Sequence, residues 1–224
     1  MLFRKGLEKV MGGRGASSGL TKKSSKSNID MMSEFRNAGT IVVDKEVKNL
    51  NSVLVDKTLK GVRDTLNEFG LPLSVVTGIG LSLSNDAEAS ANGMGQLGFS
   101  SKYYSSSNNE FTPSDYTADY TAYGTGTHEA GHLISNYLMR KSNSSLTKFQ
   151  QAKLRTSGKW DRNILKQAKK INGGKLSAIS KYGSNTKGKA AGEVVAEAVS
   201  EYMKKGKSAS STSKAIVQAL KSYV

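Results

Sequence analysis

Two hundred and twenty-four residues, 37% apolar and 23% charged, suffice for one domain of ordinary size with a tail, or two small ones. No apolar run approaches the roughly 18 to 20 residues that cross a bilayer as a helix. The absence of cysteine excludes disulfide frameworks, thiolate zinc fingers, iron–sulfur clusters and thiol nucleophiles, so any metal is held by nitrogen and oxygen. The formal net charge of +15 is unevenly spread: +5 over residues 1–36, −5 over 37–138 and +15 over 139–224. Such a field draws nucleic acid or another anionic partner through the basic tail and the C-terminal third, by counterion release and without specifying which. The lysines lie among Ser, Gly and Asn without interleaved aromatics, so a solvated face is the plainer account.

In chain order, Met1–Gly6 is basic with no apolar stretch behind it. No secretory signal is expected, and the cytosol of the synthesising or host cell is the expected location. Residues 11–28 are glycine, serine and lysine with almost nothing to bury, which predicts a flexible tail over 1–36 ahead of a domain over 37–224. From Asp44 to Phe69 apolar residues return at helical spacing up to Gly70 and Pro72, predicting one long amphipathic helix. Leu73–Thr77 followed by Gly78–Leu83 reads as a buried strand and its exit, and Gly93–Phe99 and Lys102–Ser105 as short strands of a small sheet. Residues 106–124 read as a loop, Thr125 or Thr127 as the cap of a helix running to Arg140, and 141–175 as two weak helices, Leu146–Leu154 and Trp160–Ile171. A strong helix over 190–204, a loop over 206–213 and a short helix over 214–223 complete the chain.

The chemistry concentrates in Thr127-His128-Glu129-Ala130-Gly131-His132. Helical positions four apart share a face, so His128 and His132 present both imidazoles to one ion. Glu129, rotated about 100° from His128, stands beside that ion, where it can take a proton from water without itself being a ligand. The chain has only two histidines, and the pattern arises by accident in of order 1 in 2,000 such chains. A catalytic zinc ion usually has a third protein ligand, which here must be a carboxylate. Glu193, Glu197 and Glu201 form a stripe at four-residue spacing in the most basic third of the chain, where they repel one another unless something compensates them. An ion at one end of the stripe, with the next Glu hydrogen-bonded to a ligating imidazole, would do so. The alternative is an exposed face paired with lysines, for which Glu201 and Lys205 are well placed. Both Glu193 and Glu197 are candidates for the third ligand.

His-Glu-Ala-Gly-His, then Ser180-Lys181-Tyr182-Gly183-Ser184-Asn185, then Glu193-Val194-Val195-Ala196-Glu197-Ala198 resembles the zincin-like metallopeptidase domains related to the catalytic domain of anthrax lethal factor, a version of which occurs in phage and prophage proteins. The resemblance spans about residues 45–204, with two short motifs as its specific part. It implies an α+β fold with a long N-terminal helix, a small mixed sheet, the histidine helix and a downstream glutamate helix. It also implies Zn²⁺ held by His128, His132 and Glu193, Glu129 as general base, and Tyr182 as oxyanion donor, which leaves Glu197 behind a ligand. The implied activity is zinc-dependent hydrolysis of a peptide or protein, with the substrate held on an edge strand, Gly93–Phe99 or Lys102–Ser105, and Tyr116, Tyr120 and Tyr123 available to line the cleft. The Gly-Gly-Arg-Gly-Ala-Ser-Ser-Gly of the tail is similar to stretches common in prophage-encoded proteins. A second class of function is therefore a virion-associated or mobile-element protein that binds nucleic acid on a non-catalytic scaffold.

Overall fold

Asn51 divides the amphipathic stretch 44–69 into two helices. In the computed structural model, which describes residues 31–82, 86–112, 114–184, 187–188 and 190–224, residues 31–37 form α1, Ile41–Val42 β1, Asp44–Val47 the single turn α2 and Ser52–Glu68 α3. The Asn51 carbonyl Oδ1 accepts from the amides of Val53 and Leu54 at 3.0 and 3.3 Å, and its Nδ2 donates to the carbonyl of Ser106 at 2.8 Å. An asparagine so engaged satisfies the first amides of α3 as an N-cap and cannot continue a helix from α2. α1 carries Phe35 and Met31 into the main core, so residues 31–36 belong to the folded domain and not to the tail that the charge pattern assigns them to. Residues 1–30 lie outside the described residues.

The fold is α+β with a small mixed sheet. Its strands are β1, β2 (Gly78–Leu81), β3 (Ala89–Ala91) and β4 (Gln96–Phe99), in the order β1-β2-β4-β3. β1 pairs parallel with β2 and β2 parallel with β4, while β3 runs antiparallel to β4. Three expectations are corrected here. Leu73–Val75 is a 3₁₀ turn, in which the carbonyls of Pro72 and Leu73 accept from Val75 and Val76, and strand pairing begins only where the Thr77 amide reaches Gly95. Lys102–Ser105 is not a strand: Ser101–Tyr104 is one helical turn, α4, which turns Tyr104 into the core against Phe99 and Phe111 and brings its hydroxyl 2.7 Å from that of Thr58. Gly93–Phe99 supplies the interior strand β4, and the sheet edges are β1 and β3, the latter an Ala-Ser-Ala run with no strand pattern of its own. Of the predicted exit, Gly78–Leu83, the last residue lies outside the described residues.

Helices α5 (Ala122–Ser142), α6 (Lys148–Thr156), α7 (Lys159–Ile171), α8 (Ala190–Lys205) and α9 (Ser211–Lys221) follow. α5 starts five residues ahead of Thr127 because Thr121, and neither Thr125 nor Thr127, is its cap: the Thr121 hydroxyl accepts from the Gly124 amide at 2.9 Å. α9 starts at Ser211, capped by Ser210, which accepts from Ser213. The two weak helices expected in 141–175 are present as α6, opened by a Thr147/Gln150 capping box, and α7, separated by Gly158 at φ 64°.

α5 is the central element, packed between α3 and α8. Leu133, Ile134 and Leu138 on α5 are fully buried with Leu54, Leu59, Val62 and Leu66 of α3 and with Val195 and Val199 of α8, and each such side chain contributes about 1.5–3 kcal/mol of burial. Val194 and Ala198 join Val195 and Val199 in this core, as the apolar face of the glutamate helix predicts. No described helix is long and apolar enough to cross a membrane.

Candidate metal centre

Two helices carry the site, and their separation is set by a glycine. In His128-Glu129-Ala130-Gly131-His132, a Cβ at Gly131 would stand 2.8 Å from the Cα of Ala196, so no other residue lets α5 and α8 approach this closely without displacement. The Thr127 and Ser200 hydroxyls, 3.0 Å apart, hold the same crossing one turn earlier. This contact brings the first turn of α8 beside the histidines.

There Glu193 Oε2 stands 3.3 Å from His128 Nε2 and 3.2 Å from His132 Nε2. One donor atom from each of the three residues lies within 4.8 Å of the others. Bonds of about 2.0–2.1 Å to a tetrahedral ion put ligand atoms about 3.3 Å apart, so two edges of the triangle already have the length zinc requires. The side chains are 14, 19 and 31% exposed, enclosed by the fold but open on one side.

Glu197, one turn along α8, is 1% exposed and faces the other nitrogen of His128. Its Oε1 lies 2.9 Å from His128 Nδ1, and its Oε2 accepts from the Ala118 amide at 2.7 Å. With Nδ1 donating to this carboxylate, the Nε2 lone pair is free to face an ion, the arrangement that fixes the tautomer of a ligating histidine. Of the two candidates for third ligand, Glu193 is therefore the one that reaches both Nε2 atoms.

The imidazoles and carboxylates of the cluster shift one another's titration. Burial opposes a charge on His128, but hydrogen bonding to Glu193 and Glu197 and the nearby Glu129 outweigh it and push the imidazole up to about 10. His132 is raised in the same way, burial again opposing and Glu193 prevailing. Burial also works against a charged Glu193, yet the two imidazoles hold it far below the usual carboxylate range. Both imidazoles are thus biased toward their charged form by the carboxylates around them, and a divalent cation in the same place would take over that role by displacing protons.

Glu129 is 6% exposed, lines the cavity beside the histidines and makes no hydrogen bond to the described residues. Tyr182 lies in the 3₁₀ turn Tyr182–Ser184, its ring 5.9 Å from that of His128 and 5.5 Å from that of Tyr116. Burial, and next the Glu193 charge, raise its hydroxyl, which stays a donor. The turn fits because residue 183 is glycine: a Cβ there would come 2.9 Å from Glu197 Cβ. Asn185 of the same motif lies outside the described residues.

The cavity containing these groups has a volume of about 650 Å³. Tyr116 and Tyr120 line it, but Tyr123 does not: its hydroxyl donates to Asp64 at 3.3 Å and its ring faces Lys60. Asp161, on the first turn of α7, is an addition that no local motif marks. It accepts from the Ser135 hydroxyl at 2.6 Å, which in turn accepts from Trp160 Nε1 at 3.0 Å. Its carboxylate lies near the Cε1 edge of His132, both within van der Waals reach of a Cβ placed on Gly192. The signal that could have found it is the position of a lone acid in the first turn of an otherwise basic helix. Glu201, by contrast, takes no part in the centre, being bonded to Lys205, Ser210 and Ser213.

Scans against protein-family models, curated proteins and solved structures return no match for this chain.

Proposed function

We propose that this chain is a zinc-dependent peptidase built on a zincin-like arrangement, of the kind carried by phage and prophage proteins. The observation that carries the reading is the convergence of His128 Nε2, His132 Nε2 and a Glu193 oxygen in the wall of a cavity, with both Glu193 edges of tetrahedral length. Two imidazoles and one carboxylate are the donor set of catalytic zinc, and a zinc ion there would supply Lewis acidity toward a carbonyl and lower the pKa of water.

The chain's own residues account for the rest. Glu129, a buried carboxylate facing the cavity without a partner among the described residues, takes the proton from the attacking water and delivers it to the leaving amine. Tyr182 holds a hydroxyl proton at the same mouth, suited to donate to the oxygen that becomes negative as the carbonyl is attacked. Glu197 fixes His128, and Asp161 supports the environment of His132. An extended peptide can lie along β3. Glu88 and Asn92 spend their backbone groups on β4, so by the alternation of an antiparallel ladder those of Ala89 and Ala91 face the cavity side.

The test is Glu129→Gln. The variant should bind zinc as the parent does and lose peptide hydrolysis, and equal turnover by both would overturn the reading. A second reading is favoured by one observation: Lys159, Arg162, Lys166, Lys169 and Lys170 on α7 are exposed, and none pairs with a carboxylate among the described residues. Polyanion binding by this face would retard DNA at low salt, vanish above about 0.3 M salt and ignore Glu129→Gln.

A further inference from the structure

The cavity has a second pole. Beyond the histidines α5 continues through Asn136, which lines the cavity, to Arg140, eight residues past His132 and about 12 Å further along the axis. Arg140 donates through Nη1 to the carbonyl of Gly93, in the turn between β3 and β4. Arg155, near the end of α6, lays its guanidinium over the same glycine, and any Cβ at position 93 would collide with it. Two guanidiniums thus converge on one backbone position. Both are half-buried, and Arg155 lines the cavity that holds the metal centre.

Among the described residues the pair has no ion-pair partner. Burial and then the neighbouring Arg155 both work against the charge on Arg140, with only Tyr137 acting in the opposite sense. The direction of β3 links the two poles. At its start Glu88, and on α5 Glu129, both bear on the Tyr104 phenol, and beyond its end Gly93 meets Arg140, so β3 and α5 run alongside in the same sense. A peptide extended along β3 covers 12 Å in about three to four residues.

We propose that Arg155, backed by Arg140, is an anion subsite of the cleft that takes a carboxylate of an extended peptide three to four residues from the bond at the metal centre. The carboxylate is an Asp or Glu side chain or the chain's own C-terminus. Guanidinium against carboxylate is the pairing with matched bidentate geometry, and a single arginine with a partner already behind it presents its outer edge to the ligand. The assignment rests on the peptidase reading for its substrate, and on the arginine geometry alone for its charge preference.

The experiment therefore has two arms. In the first, the arginine Nε–Hε signals of the full chain are followed by ¹⁵N NMR, assigned with Arg140→Lys and Arg155→Lys, during titration with acetyl-glutamate methylamide, acetyl-glutamine methylamide and acetyl-alanine. Saturable movement of the Arg155 signal with the glutamate probe identifies a side-chain carboxylate as the ligand, and movement with acetyl-alanine a terminal one. No movement, or an equal response to the glutamine probe, overturns the subsite. In the second arm, the wild type and Arg155→Glu cleave a mixed peptide library. The wild type should favour acids three or four residues from the cut by about tenfold in kcat/KM, and the variant should favour bases there. Cleavage with the same preference in both proteins overturns the subsite and leaves the peptidase standing. A positive titration without any cleavage keeps the subsite and removes the peptidase.

Discussion

The two halves of α8 hold the same residue type at the same spacing and resolve the repulsion in opposite ways. Glu201, in the C-terminal half, is 5% exposed and complete within the protein: Lys205 donates to one oxygen at 2.8 Å, and the hydroxyls of Ser210 and Ser213 to the other at 2.6 and 2.5 Å. Glu193 and Glu197, in the N-terminal half, are met among the described residues by the two imidazoles, the Tyr182 hydroxyl and one backbone amide, and together they favour the charged form of His128. A carboxylate satisfied by fixed donors is structural. One met chiefly by imidazoles can exchange their protons for a cation. The difference separates the stability of the helix from its proposed chemistry, and each can be perturbed without the other.

The largest separation should come from Glu129→Gln, which alters neither half of the stripe. Peptide hydrolysis should fall by about 10²–10⁴-fold with the melting temperature and zinc content unchanged. Addition of zinc comes next. At a hundred times its dissociation constant it should stabilise the fold by about 2.7 kcal/mol, read as a rise in melting temperature that His128→Ala abolishes. Glu197→Gln should weaken zinc about 10–100-fold, because it frees the His128 ring, whereas Glu201→Gln should leave zinc affinity alone.

Glu201→Gln should instead lower stability by about 1–3 kcal/mol in chemical denaturation, since two hydroxyls and a lysine lose a charged acceptor. Its pH dependence has a definite sign. Burial works against the charge on Glu201, but hydrogen bonding to Lys205 and the two serines prevails and holds the carboxylate at about 2, below its ordinary 4.5. The stabilisation is therefore fully present above about pH 4.5 and lost as the pH falls from there toward 2, and Glu201→Gln should flatten that part of the stability profile. An unchanged profile would remove Glu201 from the comparison.

The site was more legible than the sheet, for a physical reason. His128, Glu129 and His132 are related by helix geometry alone, and a four-residue interval carries the whole message. The choice between Glu193 and Glu197 is different in kind: both lie on one face of α8, and only the α5–α8 crossing at Gly131 decides which reaches the Nε2 atoms. β1 and β3 span two and three residues, too short for alternation to register, and exist because of partners far away in sequence. The split at Asn51 was visible in principle, as an asparagine ahead of an apolar run, but the continuing helical period masked it. Asp161 and Arg155 sit in a polar stretch with no motif, and their relevance comes from where α6 and α7 fold back.

The central claim is tested most directly by the zinc content of the purified full chain after equilibration with the metal and removal of excess. About one zinc per chain, lost in His132→Ala and Glu193→Gln and retained in Glu201→Gln, is the predicted result. Less than about 0.2 zinc per chain, unchanged by those substitutions, would contradict it.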